Sequence, residues 1–321
     1  MSFLPAVFCV SFVTIGWQLA LMRCLHITRY HHFSFLIISC ALLGFGASGT
    51  MLSLCREWVD RYGNAIFCWG IVAFGISLPL CFRLAQALPI EVYFPPGNLI
   101  GSLAWWFLFW LVNAAPFLVA GGLIGLALIL GAGRAHTVYA INLLGSAAGA
   151  LGSIQLFYWM APNDFVAPLS LLALASGFFL PAEALSWGQR TYRIVLSVVT
   201  LLLVGLNVVA ERVFPLSIDQ YKSLSFVRSL VNQGGAEKRA TLLGPRGVVE
   251  LYGGPHFHTL LSLSSNVTPP PMDVLIRDGF HAGSILCIER PDQARFLEGT
   301  LSALPYKLVS PQEVLILGET G

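Results

Sequence analysis

From Leu99 to Gly133 the chain carries no charged residue. A segment this apolar has no surface to offer water, and a helix needs only about 20 such residues to cross the hydrocarbon of a bilayer. The stretch is too long for one upright helix and barely long enough for two joined by a turn. Pro116 lies near its middle, within Asn113-Ala114-Ala115-Pro116-Phe117. It sits either in one long helix or at the joint of two short ones. One helix is the favoured reading. Further runs at 2–22, 33–54, 64–82, 138–160, 164–182 and 193–210 bring the expectation to about seven spans.

Composition agrees. Charged residues make up 11% of the 321, and mean hydropathy is +0.75; a soluble domain carries roughly 25% charged residues. All three lysines, Lys222, Lys238 and Lys307, come after Arg212. That shift divides the chain into a multi-span α-helical membrane domain, 1–212, and a water-facing remainder. A net charge of +2 without a basic cluster points away from nucleic acid. Cys9, Cys24, Cys40, Cys55, Cys68 and Cys81 fall in or beside apolar runs without metal-ligand spacing, so they read as small packing residues. Cys287 stands alone in a strand-like run, and no disulfide framework is implied. The run from Ser2 to Leu21 lacks a basic leader and a small-residue cleavage site, and reads as a retained membrane helix.

Orientation is weakly encoded. Alternating the loops sets Arg23, Arg29 and Arg83 on one side and Arg56, Arg61, Arg134, Arg190 and Arg193 on the other. Within the spans, Gly44, Gly46 and Gly49, then Gly121, Gly122 and Gly125, then Gly145, Gly149 and Gly152 form small-residue faces. These suit close helix packing, with a glycine-lined transport path as the other reading. Gln18, Asn113, Asn142, Gln155 and Asn207 are the amides of the spans, and no carboxylate or lysine sits at mid-membrane, which disfavours an ion-coupled relay. His26, His31 and His32, with Arg23 and Arg29, make either a metal or headgroup site or, more simply, a solvated interfacial loop.

The water-facing part reads as short strands and turns. Ala240–Leu243 and Val248–Tyr252 flank Gly244-Pro245-Arg246-Gly247. Thr259–Leu263 alternates, Val274-Leu275-Ile276 leads into the turn pair Asp278-Gly279, and Ser284–Ile288 returns. A helix is expected over Pro291–Leu304, with Phe296, Leu297, Leu301 and Leu304 on one face. The run Val314–Leu317 closing on Gly318 has the look of the first strand and cofactor loop of a doubly wound domain. Asp278 is read as a turn residue, and His256 and His258 lack the further ligands a metal needs. Asn266-Val267-Thr268 matches a glycosylation sequon but falls in a region expected to face the cytoplasm.

Several segments, in this order, resemble the membrane-fused branch of the spermidine synthase (polyamine aminopropyltransferase) family and its related S-adenosylmethionine-dependent methyltransferase-like members. They are Tyr139–Ala150 in the fifth span; Tyr221-Lys222-Ser223-Leu224-Ser225, Gly244–Gly247 and Leu261-Ser262-Leu263; Arg277-Asp278-Gly279; and Ala303-Leu304-Pro305-Tyr306 followed by Val314–Gly321.

The resemblance implies a β-rich N-terminal subdomain over 213–290 and the start of a Rossmann-like domain over 291–321. It also implies a cofactor, S-adenosylmethionine or its decarboxylated form, with Gly318 and Gly321 as the loop positions that correspond. Thr320 stands where a second glycine is usual and would crowd the ligand. Glu319 is either a loop side chain or merely the residue two from the end. The family's acidic catalytic residues lie beyond the first glycine loop, so no catalytic residue is assigned here, no metal is expected, and the chain by itself is expected to bind no cofactor. The expected protein is thus the N-terminal portion of a membrane-fused transferase in the inner (plasma) membrane, its C-terminal part cytoplasmic, with the lipid bilayer and a supplier of the remaining Rossmann domain as partners. Two other readings stay open: a small-molecule transporter for polyamines or amino acids, and a non-catalytic membrane anchor for a partner enzyme.

Overall fold

A computed structural model describes residues 3–90, 97–180, 188–208, 215–255, 257, 270–300, 303–309 and 313. The chain forms two compact units, Met1–Ser217 and Ile218–Gly321.

The first unit is helical. Its helices are α1 (Leu4–Thr28), α2 (Leu36–Leu54), α3 (Arg56–Ala87), α4 (Leu99–Leu130), α5 (Ala135–Leu156), α6 (Val166–Ser176) and α7 (Gln189–Val208). Counting the 3-10 turns that lead into α2 and α5, five helical stretches among the described residues are long and apolar enough to cross a membrane: Leu4–Thr28, His31–Leu54, Arg56–Ala87, Leu99–Leu130 and Ala132–Leu156.

Helix α4 settles the Pro116 question in favour of one helix, with the proline inside it. Its 32 residues span about 48 Å, well beyond a hydrocarbon thickness of about 30 Å. Helix α3 is also 32 residues, against an expected span of 64–82. Arg56 and Arg61 therefore lie on its first turns and Arg83 near its end, none of them in a loop; Arg23 and His26 likewise belong to α1. The added turns of α3 hold an Arg56–Asp60 pair at i,i+4 (3.9 Å) and place Glu57 at the positive end of the helix dipole.

The expected span at 164–182 is not one α-helix. It holds the 11-residue α6 between 3-10 turns Pro162–Phe165 and Gly177–Phe179. The expected span at 193–210 runs past the described residues, and its described part belongs to the 20-residue α7.

Small residues set the helix pairs. A methyl group at Gly44 would lie 2.6 Å from the Leu118 backbone nitrogen, and one at Gly145 would lie 2.5 Å from the Phe8 carbonyl oxygen. Gly121 meets Phe45 and Ser48, Gly149 meets the Phe12 backbone, and Gly152 its ring. Hence α2 lies parallel to α4, and α1 parallel to α5. Gly46, Gly49 and Gly122, read from the sequence as contacts, have nothing within 4 Å of an added methyl. Each is displaced around its helix from the contacting glycine, and a helix turns only one stripe toward its neighbour.

The second unit is a four-stranded antiparallel meander in the order β1-β2-β3-β4: β1 (Glu237–Gly244), β2 (Gly247–Gly254), β3 (Met272–Arg277) and β4 (Phe280–Leu286). Pro245 and Arg246 form a two-residue loop between β1 and β2, as the Gly-Pro-Arg-Gly signal predicts. Helix α8 (Ser223–Asn232) buries Leu224 and Val227 against Tyr252, Phe257, Val274 and Ile276. The expected helix over Pro291–Leu304 is instead a 3-10 stretch, Pro291–Gly299, and a separate five-residue helix α9 (Leu304–Leu308). Thr300 takes an extended conformation between them, so Phe296 is buried while Leu297 and Leu304 stay exposed.

Candidate functional site

A buried polar arrangement of the second unit forms where α8 begins. Asp219 accepts, on its carboxylate Oδ1, the Tyr221 backbone N–H at 3.0 Å, and its carbonyl accepts the Lys222 N–H at 3.0 Å. This turn carries Lys222 into the unit in an extended conformation just before the helix. Lys222 is only 1% exposed. Its Nζ donates to the Asp278 carbonyl oxygen at 2.8 Å and lies 3.8 Å from the centre of the Phe280 ring. Alongside, the Leu224 N–H donates to the Gly279 carbonyl at 3.1 Å.

The acceptor is a tight turn. Asp278 (φ 49°) and Gly279 (φ 83°) both adopt left-handed conformations between β3 and β4, the geometry a two-residue hairpin loop demands and Asp-Gly supplies. Asp278 is itself held to β2: its N–H donates to the Val248 carbonyl at 2.9 Å, and its Oδ1 accepts the Val248 N–H at 3.0 Å. The sequence reading of Asp278 as a turn residue holds.

Burial governs the electrostatics. It pulls the Lys222 ammonium down to about 7, against the opposing attraction of Asp278 and Asp219. His281 is lowered, again chiefly by burial. Tyr252 is pushed up to about 12 by burial and then by the charge of Glu250. Two cross-strand ion pairs complete the sheet, Lys238–Glu250 at 2.5 Å and Arg239–Asp273 at 2.6 Å. A cavity of about 280 Å³ opens beside Lys222, walled by Phe226, Phe257 and Ile276 with His281 at its edge. An amine so placed fastens the helix start to the hairpin and, when neutral, is a base at the edge of a small, largely apolar space.

In the sequence Lys222 stands only as part of a longer motif, and nothing beside it points to its burial. Its partners Asp278 and Phe280 lie more than 50 residues away, so no local pattern announces them. The cofactor positions Gly318 and Gly321, the strand Val314–Leu317, Glu319 and Thr320 lie outside the described residues, as do His256, His258, Thr259–Leu263 and Asn266–Thr268. His26, His31 and His32 do meet at the end of α1, with ring centres 6.3 Å apart for His26–His31 and 5.3 Å for His31–His32. Among the described residues, no group of three or more His, Cys, Asp or Glu side chains is placed to hold a metal ion. Asn142 accepts the Ser11 hydroxyl across α1 and α5 at 2.8 Å, and Asn113 donates to the Phe109 carbonyl in its own helix at 2.8 Å, so both have packing or helix-internal partners.

No protein-family model, curated protein or solved structure matches this chain.

Proposed function

We propose that this multi-span helical protein carries, in its second unit, the β-subdomain of a spermidine synthase-like, S-adenosylmethionine-type transferase, and that it serves as that enzyme's membrane-embedded portion. The observation that carries the reading is the meeting of two separate segments. Tyr221-Lys222-Ser223 and Arg277-Asp278-Gly279 carry the resemblance independently, and two hydrogen bonds fasten them together, from Lys222 Nζ to Asp278 and from Leu224 N to Gly279. A third segment, Gly244–Gly247, forms the neighbouring hairpin of the same antiparallel sheet.

On this reading the cofactor is S-adenosylmethionine or its decarboxylated form. The reactive sulfonium leaves readily, so the protein's contribution is to position the acceptor and remove its proton. None of the described residues is assigned that role. Two further crossings belong to the proposal. The continuous helical stretch 162–179 covers about 30 Å, because its 3-10 turns rise about 2.0 Å per residue, and α7 has the length for a seventh crossing. The second unit is placed in the cytoplasm, where the sulfonium cofactor is found. Arginine does not decide the matter, since Arg56, Arg61 and Arg134 lie at one end of the five spans and Arg23, Arg29 and Arg83 at the other.

The test is photolabelling of native membranes with a photoreactive adenosyl sulfonium analogue, followed by purification of the chain. A labelled polypeptide that co-purifies with it, and loses its label to excess S-adenosylmethionine, supports the reading. Label on residues 1–321 would move the cofactor site into the chain itself. Absence of any competed label in the purified material sinks the proposal.

A further inference from the structure

At the end of the helical unit where α1 begins and α4 finishes lies a cavity of about 1000 Å³. Four elements build it: the start of α1 (Phe3, Leu4), the third turn of α3 (Asn64), the end of α4, and the link into α5 with its first turn (Arg134, His136, Thr137). We propose that this cavity is a headgroup site for an anionic phospholipid.

Its depth supports this. Leu4 opens the first span and Leu130 closes the fourth, so the cavity lies where hydrocarbon gives way to water. The first turns of α3, carrying Arg56, Glu57, Asp60 and Arg61, mark the same end as water-facing. The lining is amphipathic in the same sense: Phe3 and Leu4 offer apolar wall, while Asn64, Arg134, His136 and Thr137 offer hydrogen-bonding groups.

Charge supports it too. Among the described residues no carboxylate lines the cavity, and Arg134 makes no ion pair with any of them. The acid on the adjoining turn of α3, Asp60, is turned to Arg56 at 3.9 Å. A guanidinium is the side chain best matched to a phosphate, which it grips with two parallel hydrogen bonds. The volume stands at the upper end of the range for small-molecule sites, about 300–1,000 Å³, and takes a glycerophosphate head together with the first carbons of its chains. A soluble phosphate ester offers the same anion but nothing for Phe3 and Leu4 to cover, which is why the lipid is preferred.

The experiment uses the full chain in detergent, delipidated and titrated with phosphatidylglycerol, phosphatidylcholine or glycerol 3-phosphate, with retained ligand read by native mass spectrometry. Phosphatidylglycerol is expected to be held about tenfold more tightly than phosphatidylcholine, a difference of about 1.4 kcal/mol. The double variant Arg134→Gln/His136→Gln should lose that preference, and Arg134→Lys should keep most of it. Equal retention of the two lipids overturns the proposal, as does an undiminished preference in the double variant. Glycerol 3-phosphate displacing the lipid at equal concentration would assign the site to a soluble phosphate and overturn the lipid. Should the double variant fail to fold, a headgroup-photoreactive phosphatidylglycerol on the unaltered chain decides: adducts within 131–138 support the site, and adducts confined elsewhere sink it.

Discussion

The helical unit and the β-unit solve the same problem with opposite means. In the helices, polar side chains mostly bond to their own backbone one turn back, as Ser11 does to Val7, Thr14 to Val10 and Thr28 to Cys24. In the β-unit they reach across the chain, Lys238 to Glu250, Arg239 to Asp273 and Lys222 to the Asp278 carbonyl, while the Asp278 carboxylate accepts the Val248 backbone N–H. The difference follows from solvent. Hydrocarbon exerts no hydrophobic force between helices, so association rests on close backbone contact at Gly44, Gly121, Gly145 and Gly149. The β-unit has only a small described core, Leu224, Val227, Tyr252, Phe257, Val274 and Ile276, and long-range polar ties supplement it.

The comparison breaks most visibly at Gly149. Its added side chain would meet Phe12 backbone, which cannot rotate away. Gly149→Leu is expected to cost about 3 kcal/mol or more, read as a lowered melting temperature in detergent, while Gly46→Leu, with no neighbour within 4 Å of its methyl, should leave the melt unchanged. Equal effects would mean that these glycines do not pack the bundle.

In the β-unit the counterpart is Lys222→Ala. It strips the Asp278 carbonyl of its buried donor and should cost about 2–3 kcal/mol. Hydrogen exchange at the Leu224 amide is the readout, and the α1–α5 melt should not move.

Lys222 also sharpens the contrast through pH. Its folded value is depressed to about 7 from 10.5. Below pH 7 the lysine is charged in both states, and the cost of burying that charge is fully present. Between about 7 and 10.5 the unfolded chain binds the proton and the folded chain does not, so stability rises with pH across that window. Protection of the Leu224 amide, taken as the difference between the natural chain and Lys222→Met, should climb from pH 7 to pH 10. A flat or falling difference would show that the carboxylates outweigh burial.

Smaller effects complete the series. Asn142→Leu removes the acceptor of the Ser11 hydroxyl, a side-chain tie between α1 and α5, and should cost about 1 kcal/mol in the detergent melt. Arg239→Gln should have the smallest effect of the series in urea unfolding, and less still at high salt, because the guanidinium is half-exposed. A larger loss there than at Lys222 would reverse the ranking of buried over surface ties.

Two turns were legible in sequence because their chemistry is local. Asp278-Gly279 supplies the two left-handed residues a tight hairpin needs, and Gly244–Gly247 brackets a two-residue loop. The single long helix through Pro116 was readable from an unbroken apolar run. The run Pro291–Leu304 is not one helix, since period alone does not reveal that the chain straightens at Thr300.

By itself, then, the sequence determined the hairpin turns and that long apolar stretches make up the first part of the chain, about seven expected where five candidate spans are described, because hydropathy, helix period and turn propensity are properties of neighbouring residues. Only the tertiary structure decided which glycine of each stripe meets a partner, that Lys222 is buried on a turn far along the chain, and that Phe3, Asn64 and Arg134 line one cavity. Those are relations between distant segments. They depend on how helices rotate and strands register against each other, and that is set by packing the whole unit at once.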